Sequence, residues 1–328
     1  MKHHDPLADS LNPESPKLSV DAESSERIET NRTAPLATGS IARRRMRVAG
    51  RMLGSLLLGG VAILGSALIF RQGLLPLIGA VFHPGPELLS VFRRVGILLT
   101  TVAGYWAFVH WHEKRVATEL HLRPIHLLLG GASGAVMVAL PMAVLFALGV
   151  YAQVLFRGAS PALLGVACLI GIAAILEELV YRCLLFRLLE RAWGTKVALV
   201  VQAVVFALQH LENVEQGGIS DVVTMLVSVT LVGLLWAGVF VLARNLWVAA
   251  ANHAAWNFTI LLSGLPLSGI EDWRKLAPLE SRFAGPDWLT GGMFGPESSL
   301  LVIASTTVVV VLLLRAARRR GAFFVPAA

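Results

Sequence analysis

The chain has 328 residues, 55% of them hydrophobic and only 15% charged. A soluble domain carries about 25% charged residues, so the composition excludes an ordinary water-soluble protein and indicates a polytopic membrane protein. The formal net charge of +7 does not point to nucleic acid, because the basic residues gather at the ends of apolar segments, where orientation signals and headgroup contacts are expected. The two cysteines, Cys168 and Cys183, share one apolar segment and make no C-x-x-C spacing, which argues against a disulfide framework.

Residues 1–42 are polar, rich in Ser, Glu, Asp, Pro and Thr, and read as a disordered cytoplasmic tail. The basic run Arg43-Arg44-Arg45-Met46-Arg47 then leads into an apolar stretch from Met52 to Phe70, which reads as a signal-anchor span and not a cleaved leader. A hydrocarbon core of about 30 Å requires roughly 20 apolar residues per helix. That ruler predicts an all-α fold of about eight transmembrane helices, near 51–71, 94–112, 127–155, 161–189, 195–213, 219–243, 246–264 and 298–315. Segment 72–92, interrupted by Pro76, Pro84 and Pro86, is expected to be a loop or a re-entrant piece. Lys and Arg concentrate at 43–51, 114–123, 187–196, 244 and 315–320, which predicts cytoplasmic N- and C-termini, although Arg93 and Arg94 run against the pattern. The transmembrane domain is thus 43–320, followed by a short tail at 321–328. His110 and His112, beside Trp106 and Trp111, are expected to anchor a helix end at the interface. No repeat of 20–50 residues and no Gly-rich phosphate loop is present, which disfavours an ATP-driven transporter.

Ionisable groups inside apolar segments carry the functional signal. A charge at the centre of a span costs about 2.5–3.5 kcal/mol on translocon scales, so such residues mark a site by default. In Glu177-Glu178-x-x-x-Arg182, the spacing of Glu178 and Arg182 allows an ion pair on one helix face. Glu177 is turned about 100° away and can face a cavity. A desolvated carboxylate with a raised pKa suits a general base that takes a proton from water. An interfacial charge cluster explains Glu178 and Arg182 equally well; it explains Glu177 less well. In Phe206-x-x-x-His210 the two rings share a face, yet His210 lies roughly 22 Å along its helix, beyond the expected midplane. In His253-x-x-x-Asn257 an imidazole and a carboxamide one turn apart can both donate to an oxyanion, or can join two helices.

Taken in this order, the three signatures resemble the motif set of the CAAX prenyl protease 2 type, or CPBP, intramembrane proteases, also called the ABI or lysostaphin-resistance-protein-A-like family. The resemblance covers roughly residues 160–263, where Arg244, Leu246 and Trp247 ahead of His253 also look like the family. It implies an eight-helix, membrane-embedded endopeptidase whose cavity opens to the cytoplasm. Glu177 would be the catalytic glutamate and His210 would orient the water. His253 and Asn257 would stabilise the oxyanion, with Glu178 and Arg182 supporting the site. Glu177, His210 and His253 also form a candidate Zn²⁺ ligand set with water in the fourth position, and a metal-free glutamate–histidine site is the alternative. The implied partners are membrane lipids and a peptide or protein substrate, lipidated or membrane-anchored; the implied setting is a bacterial inner membrane. Two rivals remain: a non-catalytic immunity or binding protein of the same fold, and a proton-coupled transporter using the same residues as a relay. The latter is disfavoured because no Gly/Pro-broken helix pair repeats across two halves.

Overall fold

The computed structural model describes residues 38–326. The expected disordered tail, 1–42, lies outside the described residues except for its last five, which are helical. The chain divides into two units, Met1–Arg47 and Val48–Ala328. Of the first, the described part is the start of helix α1 (Thr38–Ile69).

In the second unit a π turn, Phe70–Leu74, joins α1 to α2 (Leu75–Phe82), and α3 follows at Pro86–Ala107. Segment 72–92 is therefore mostly helix, where a loop or re-entrant piece was expected. Pro76 and Pro86 occupy first-turn positions, where the missing N–H is not needed, and His83 closes α2 in a left-handed conformation (φ 46°). The remaining elements are α4 (Pro124–Ala147), β1 (Tyr151–Phe156), α5 (Pro161–Glu178), α6 (Arg187–Trp193), α7 (Thr195–Gln209), α8 (Ile219–Ala243), α9 (Leu246–Leu262), β2 (Leu279–Phe283), α10 (Asp287–Thr290) and α11 (Leu300–Arg319). A π-helical stretch, Leu179–Phe186, carries α5 into α6.

Among the described residues, 7 helices are long and apolar enough to cross a membrane, an all-α polytopic fold with one helix fewer than expected. The difference lies at 246–264. There α9 has 17 residues, about 25 Å of rise. Its ends are set by local chemistry: the Asn245 side chain caps Val248 N–H at 3.2 Å, and Ser263 leads into Gly264 at φ +72°. A Cβ on Gly264 would lie 2.0 Å from the Leu279 carbonyl oxygen, so a turn glycine is required there. The expected 127–155 span also ends early, at Ala147. Residues beyond it form β1, which pairs antiparallel with β2 from Tyr151↔Phe283 to Phe156↔Leu279 with a bulge between Gln153 and Leu155.

Helix α9 is the centre of the fold and packs on α4, α5 and α8. Its approach to α4 depends on Gly130 and Gly134: a Cβ at Gly134 would lie 2.0 Å from the Asn252 carbonyl oxygen, and one at Gly130 2.7 Å from that of Val248. Small residues four apart let two membrane helices touch backbone to backbone. Asn252 locks this seam by donating from Nδ2 to the Gly130 carbonyl (3.2 Å) and Ser133 Oγ (2.9 Å).

The ends of the bundle differ in character. At one end lie Glu190, Arg244, Thr195 and Phe324, joined by the Arg244–Glu190 ion pair and by Phe324 N–H donating to Thr195 Oγ1 at 2.8 Å. Beside them Glu113 accepts from Arg187 and Arg191. Burial pushes the Glu113 carboxyl up, but Arg187 and Arg115 outweigh it and hold it below its ordinary value. The other end carries the turn after α7, the sheet and the 263–298 connection.

Gly134→Ala is expected to lower the unfolding temperature in detergent by the equivalent of about 1–3 kcal/mol of overpacking. Gly131→Ala, whose Cβ would meet its nearest neighbour at 3.8 Å, should leave it unchanged or raised. Equal effects of the two would show that the α4–α9 seam does not depend on close backbone approach.

Candidate active site

The site is built on a buried ion pair. Glu178, the last residue of α5, and Arg182, in the π-helical stretch, are both fully buried, with Arg182 Nη1 3.1 Å from Glu178 Oε1. The wide π turn sets their relative positions, and π-helical stretches often occur at functional sites. Arg182 is held from three further directions. Its Nη2 donates to the Gly233 carbonyl of α8 at 3.1 Å. Its guanidinium lies 4.7 Å from the Phe206 ring centroid and 5.7 Å from that of Trp236. Gln202 of α7 donates to the same Gly233 carbonyl at 3.1 Å, so α7, α8 and the π stretch converge on one oxygen.

Glu178 has a second partner. His253 Nδ1 lies 3.1 Å from the same Oε1. An ionised carboxylate only accepts, so Nδ1 carries the proton and Nε2 points away, 3.8 Å from Glu177 Oε2. Trp236 stacks on the His253 ring at 3.5 Å and 16°, which fixes the plane of the imidazole. His210 follows the same logic. It opens the 3₁₀ turn after α7, and its Nδ1 is 2.9 Å from the Phe206 carbonyl, leaving Nε2 with no hydrogen-bond partner among the described residues. Phe206 thus serves twice, as the ring beneath Arg182 and as the carbonyl that orients His210.

A cavity of about 200 Å³ is lined by Glu177, His210, His253 and Asn257 together with Gln209 and Glu297. Asn257 takes part in no hydrogen bond among the described residues, and its Oδ1 is buried without a partner. Glu178 and Arg182 lie behind this wall. The structure therefore separates the six expected residues into four that face the cavity and two that support them. The cavity lies toward the bundle end that carries the 263–298 connection, which explains why His210 sits so far along α7. Ala173 of α5 and Gln209 of α7, both exposed, also line it.

Glu297 escaped the sequence reading because it lies just outside a span, where a charge is unremarkable. It is 3% exposed, accepts from Trp256 Nε1 at 3.3 Å and from the Ser268 hydroxyl, and borders the cavity. Burial pushes its carboxyl up, against the opposing influence of Ser268, His210 and His253. Trp236 was given no role either, since an apolar residue in a span gives no signal of its own. Among the described residues, no three His, Cys, Asp or Glu side chains form a group that could hold a metal ion. Glu177, His210 and His253 border one cavity but do not stand as such a group.

Residues 158–259 match the family model described as type II CAAX prenyl endopeptidase, Rce1-like. This stretch, under half of the chain, runs from α5 to α9 and contains all six expected site residues. The match supports an intramembrane endopeptidase in general and agrees with the resemblance carried by the three signatures. No curated protein sequence matches the chain significantly.

Removing one member of a buried ion pair strands the other and costs about 3–5 kcal/mol. Glu178→Ala is therefore expected to lower the unfolding temperature in detergent far more than Glu177→Ala, whose carboxylate is 26% exposed to the cavity. Equal losses would contradict the division into supporting and cavity-facing residues.

Proposed function

We propose that the chain is an intramembrane endopeptidase that hydrolyses a peptide bond with a water activated by Glu177. The observation that carries this reading is the convergence of Glu177, His210, His253 and Asn257 on one cavity, with Glu178 and Arg182 holding the imidazole from behind. Water sits between Glu177 and the free Nε2 of His210. Glu177 takes its proton as oxygen attacks the carbonyl carbon, and the same proton passes to the departing amine, leaving an acid and an amine as products. Asn257 Nδ2 donates to the developing oxyanion. His253, anchored on Glu178 through Nδ1, faces the same point with Nε2. The substrate is a membrane-anchored peptide or protein that enters past the exposed Ala173 and Gln209.

Purified protein in detergent, offered a peptide library and prenylated Cys-a-a-X reporters, tests this. Cleavage is expected to fall at least a hundredfold in Glu177→Ala, and by about 10²–10³ in Asn257→Ala if it supplies one oxyanion donor. Cleavage that survives Glu177→Ala would sink the mechanism. Loss of cleavage on chelation, restored by zinc, would replace it with a metal-assisted one.

Two expectations about sidedness conflict in this fold. The cavity and the basic helix ends at Lys114, Arg244 and Arg315 lie toward opposite ends of the bundle. We propose, on the charge rule, that the cavity mouth at Glu212 is extracytoplasmic and both termini are cytoplasmic. In a Cys168→Ser background, with Cys183 buried, a membrane-impermeant maleimide should label Glu212→Cys in intact spheroplasts and Arg320→Cys only after permeabilisation. The reverse pattern would return the cavity to the cytoplasmic side.

A further inference from the structure

A second cavity, of about 750 Å³, lies at the basic end between α4, α8, α9 and α11, remote from Glu177. Its rim holds Arg123, His126 and Arg320, and its wall is largely apolar, with Leu129, Met137, Val239 and Leu242 lining it beside Ser133 and Asn245. Among the described residues, no carboxylate borders it. Arg244, also on the rim, is neutralised by Glu190. By contrast, no hydrogen bond or ion pair among the described residues engages the side chains of Arg123, His126 or Arg320. Both arginines are exposed. Along α4 the lining runs from Arg123 at the rim to Met137, a rise of roughly 20 Å.

We propose that this groove binds an anionic phospholipid, its phosphate between Arg123 and Arg320 and one acyl chain lying along α4 toward Met137. Three features select this occupant. The unneutralised guanidiniums match a phosphate, which arginine grips with paired donors. They stand at the ends of membrane helices, the depth at which headgroups lie and where basic pockets between helices take anionic lipids. The apolar wall continues from that rim into the bundle, which suits a molecule with charge at one end and hydrocarbon at the other. A soluble anion would leave the wall uncovered, and a zwitterionic lipid would leave the net positive charge unmatched. The proposal is independent of the cleavage chemistry, since none of these residues borders the Glu177 cavity.

The test uses the full chain in a neutral detergent and follows the unfolding temperature while dioctanoyl phosphatidylglycerol, dioctanoyl phosphatidylcholine or inorganic phosphate is titrated in, since a ligand that binds only the folded state raises it. Phosphatidylglycerol is expected to act at a concentration at least tenfold lower than either alternative. Arg123→Ala/Arg320→Ala should weaken that response at least tenfold while leaving the lipid-free unfolding temperature unchanged, because both side chains are exposed and unpaired. A second variant, Leu242→Glu, introduces a carboxylate into the wall and should weaken the response without touching the rim. Equal responses to the two lipids, or a phosphatidylglycerol response that persists in the double variant, overturn the proposal. Phosphate acting as strongly as phosphatidylglycerol also overturns it, by reducing the site to an anion contact. Should the double variant prove unstable without lipid, the Leu242→Glu titration decides alone.

Discussion

A fully buried arginine facing a fully buried glutamate is the constraint around which this bundle is organised. Bringing two charges into an apolar interior is costly, and their attraction offsets the cost only where the geometry is good and the remaining donors are engaged. Arg182 is held by the Gly233 carbonyl and the faces of Phe206 and Trp236, which aligns α7 and α8 with the π stretch. Its Nε and Glu178 Oε2 stay without hydrogen-bond partners among the described residues. Glu178 shares its Oε1 with His253, which draws α9 into the same knot. Four helical segments meet because one ion pair needs all of them. The reactive face of the imidazole follows from the same contact, since the nitrogen spent on Glu178 leaves the other for the cavity.

The polar half of the site was legible in the sequence for an energetic reason. Glu177, Glu178, Arg182, His210, His253 and Asn257 stand in apolar segments where each is costly, so each announces itself. Glu297 carries a carboxylate into the same cavity from a connection rich in charges, and there it has nothing to stand out against. Trp236, whose ring clamps His253, is ordinary in a membrane helix. Elements were readable where length and hydropathy agree, and less so where capping decides. Hydropathy carried the 246–264 span past Ser263, but Gly264 requires a left-handed turn. The prolines of 72–92 were read as interruptions, whereas Pro76 and Pro86 begin helices. The strand at 151–156 disappeared into an apolar window because a wide window does not distinguish alternation from continuity.

The two cavities give the ends of the bundle different chemistry. One is small and lined by carboxylates, two imidazoles and carboxamides; the other is larger, rimmed by guanidiniums and walled largely by hydrocarbon. Helices α8 and α9 contribute to both. A change of tilt in either helix would therefore be felt at both ends, with the Arg182 knot between them as the pivot.

The shortness of α9 has a consequence for how the protein is made. A segment of 17 residues carrying Asn252, His253 and Asn257 is a poor candidate for entering a bilayer alone. Only Arg244 and Asn245 separate it from α8, a long and strongly apolar helix. In the folded chain α9 packs on α8 and lies sheltered against α4 at Gly130 and Gly134. Because α9 brings the second imidazole and the carboxamide, the constellation is incomplete throughout synthesis of the first six spans. The polar cavity is thus closed only when the least membrane-compatible helix has docked.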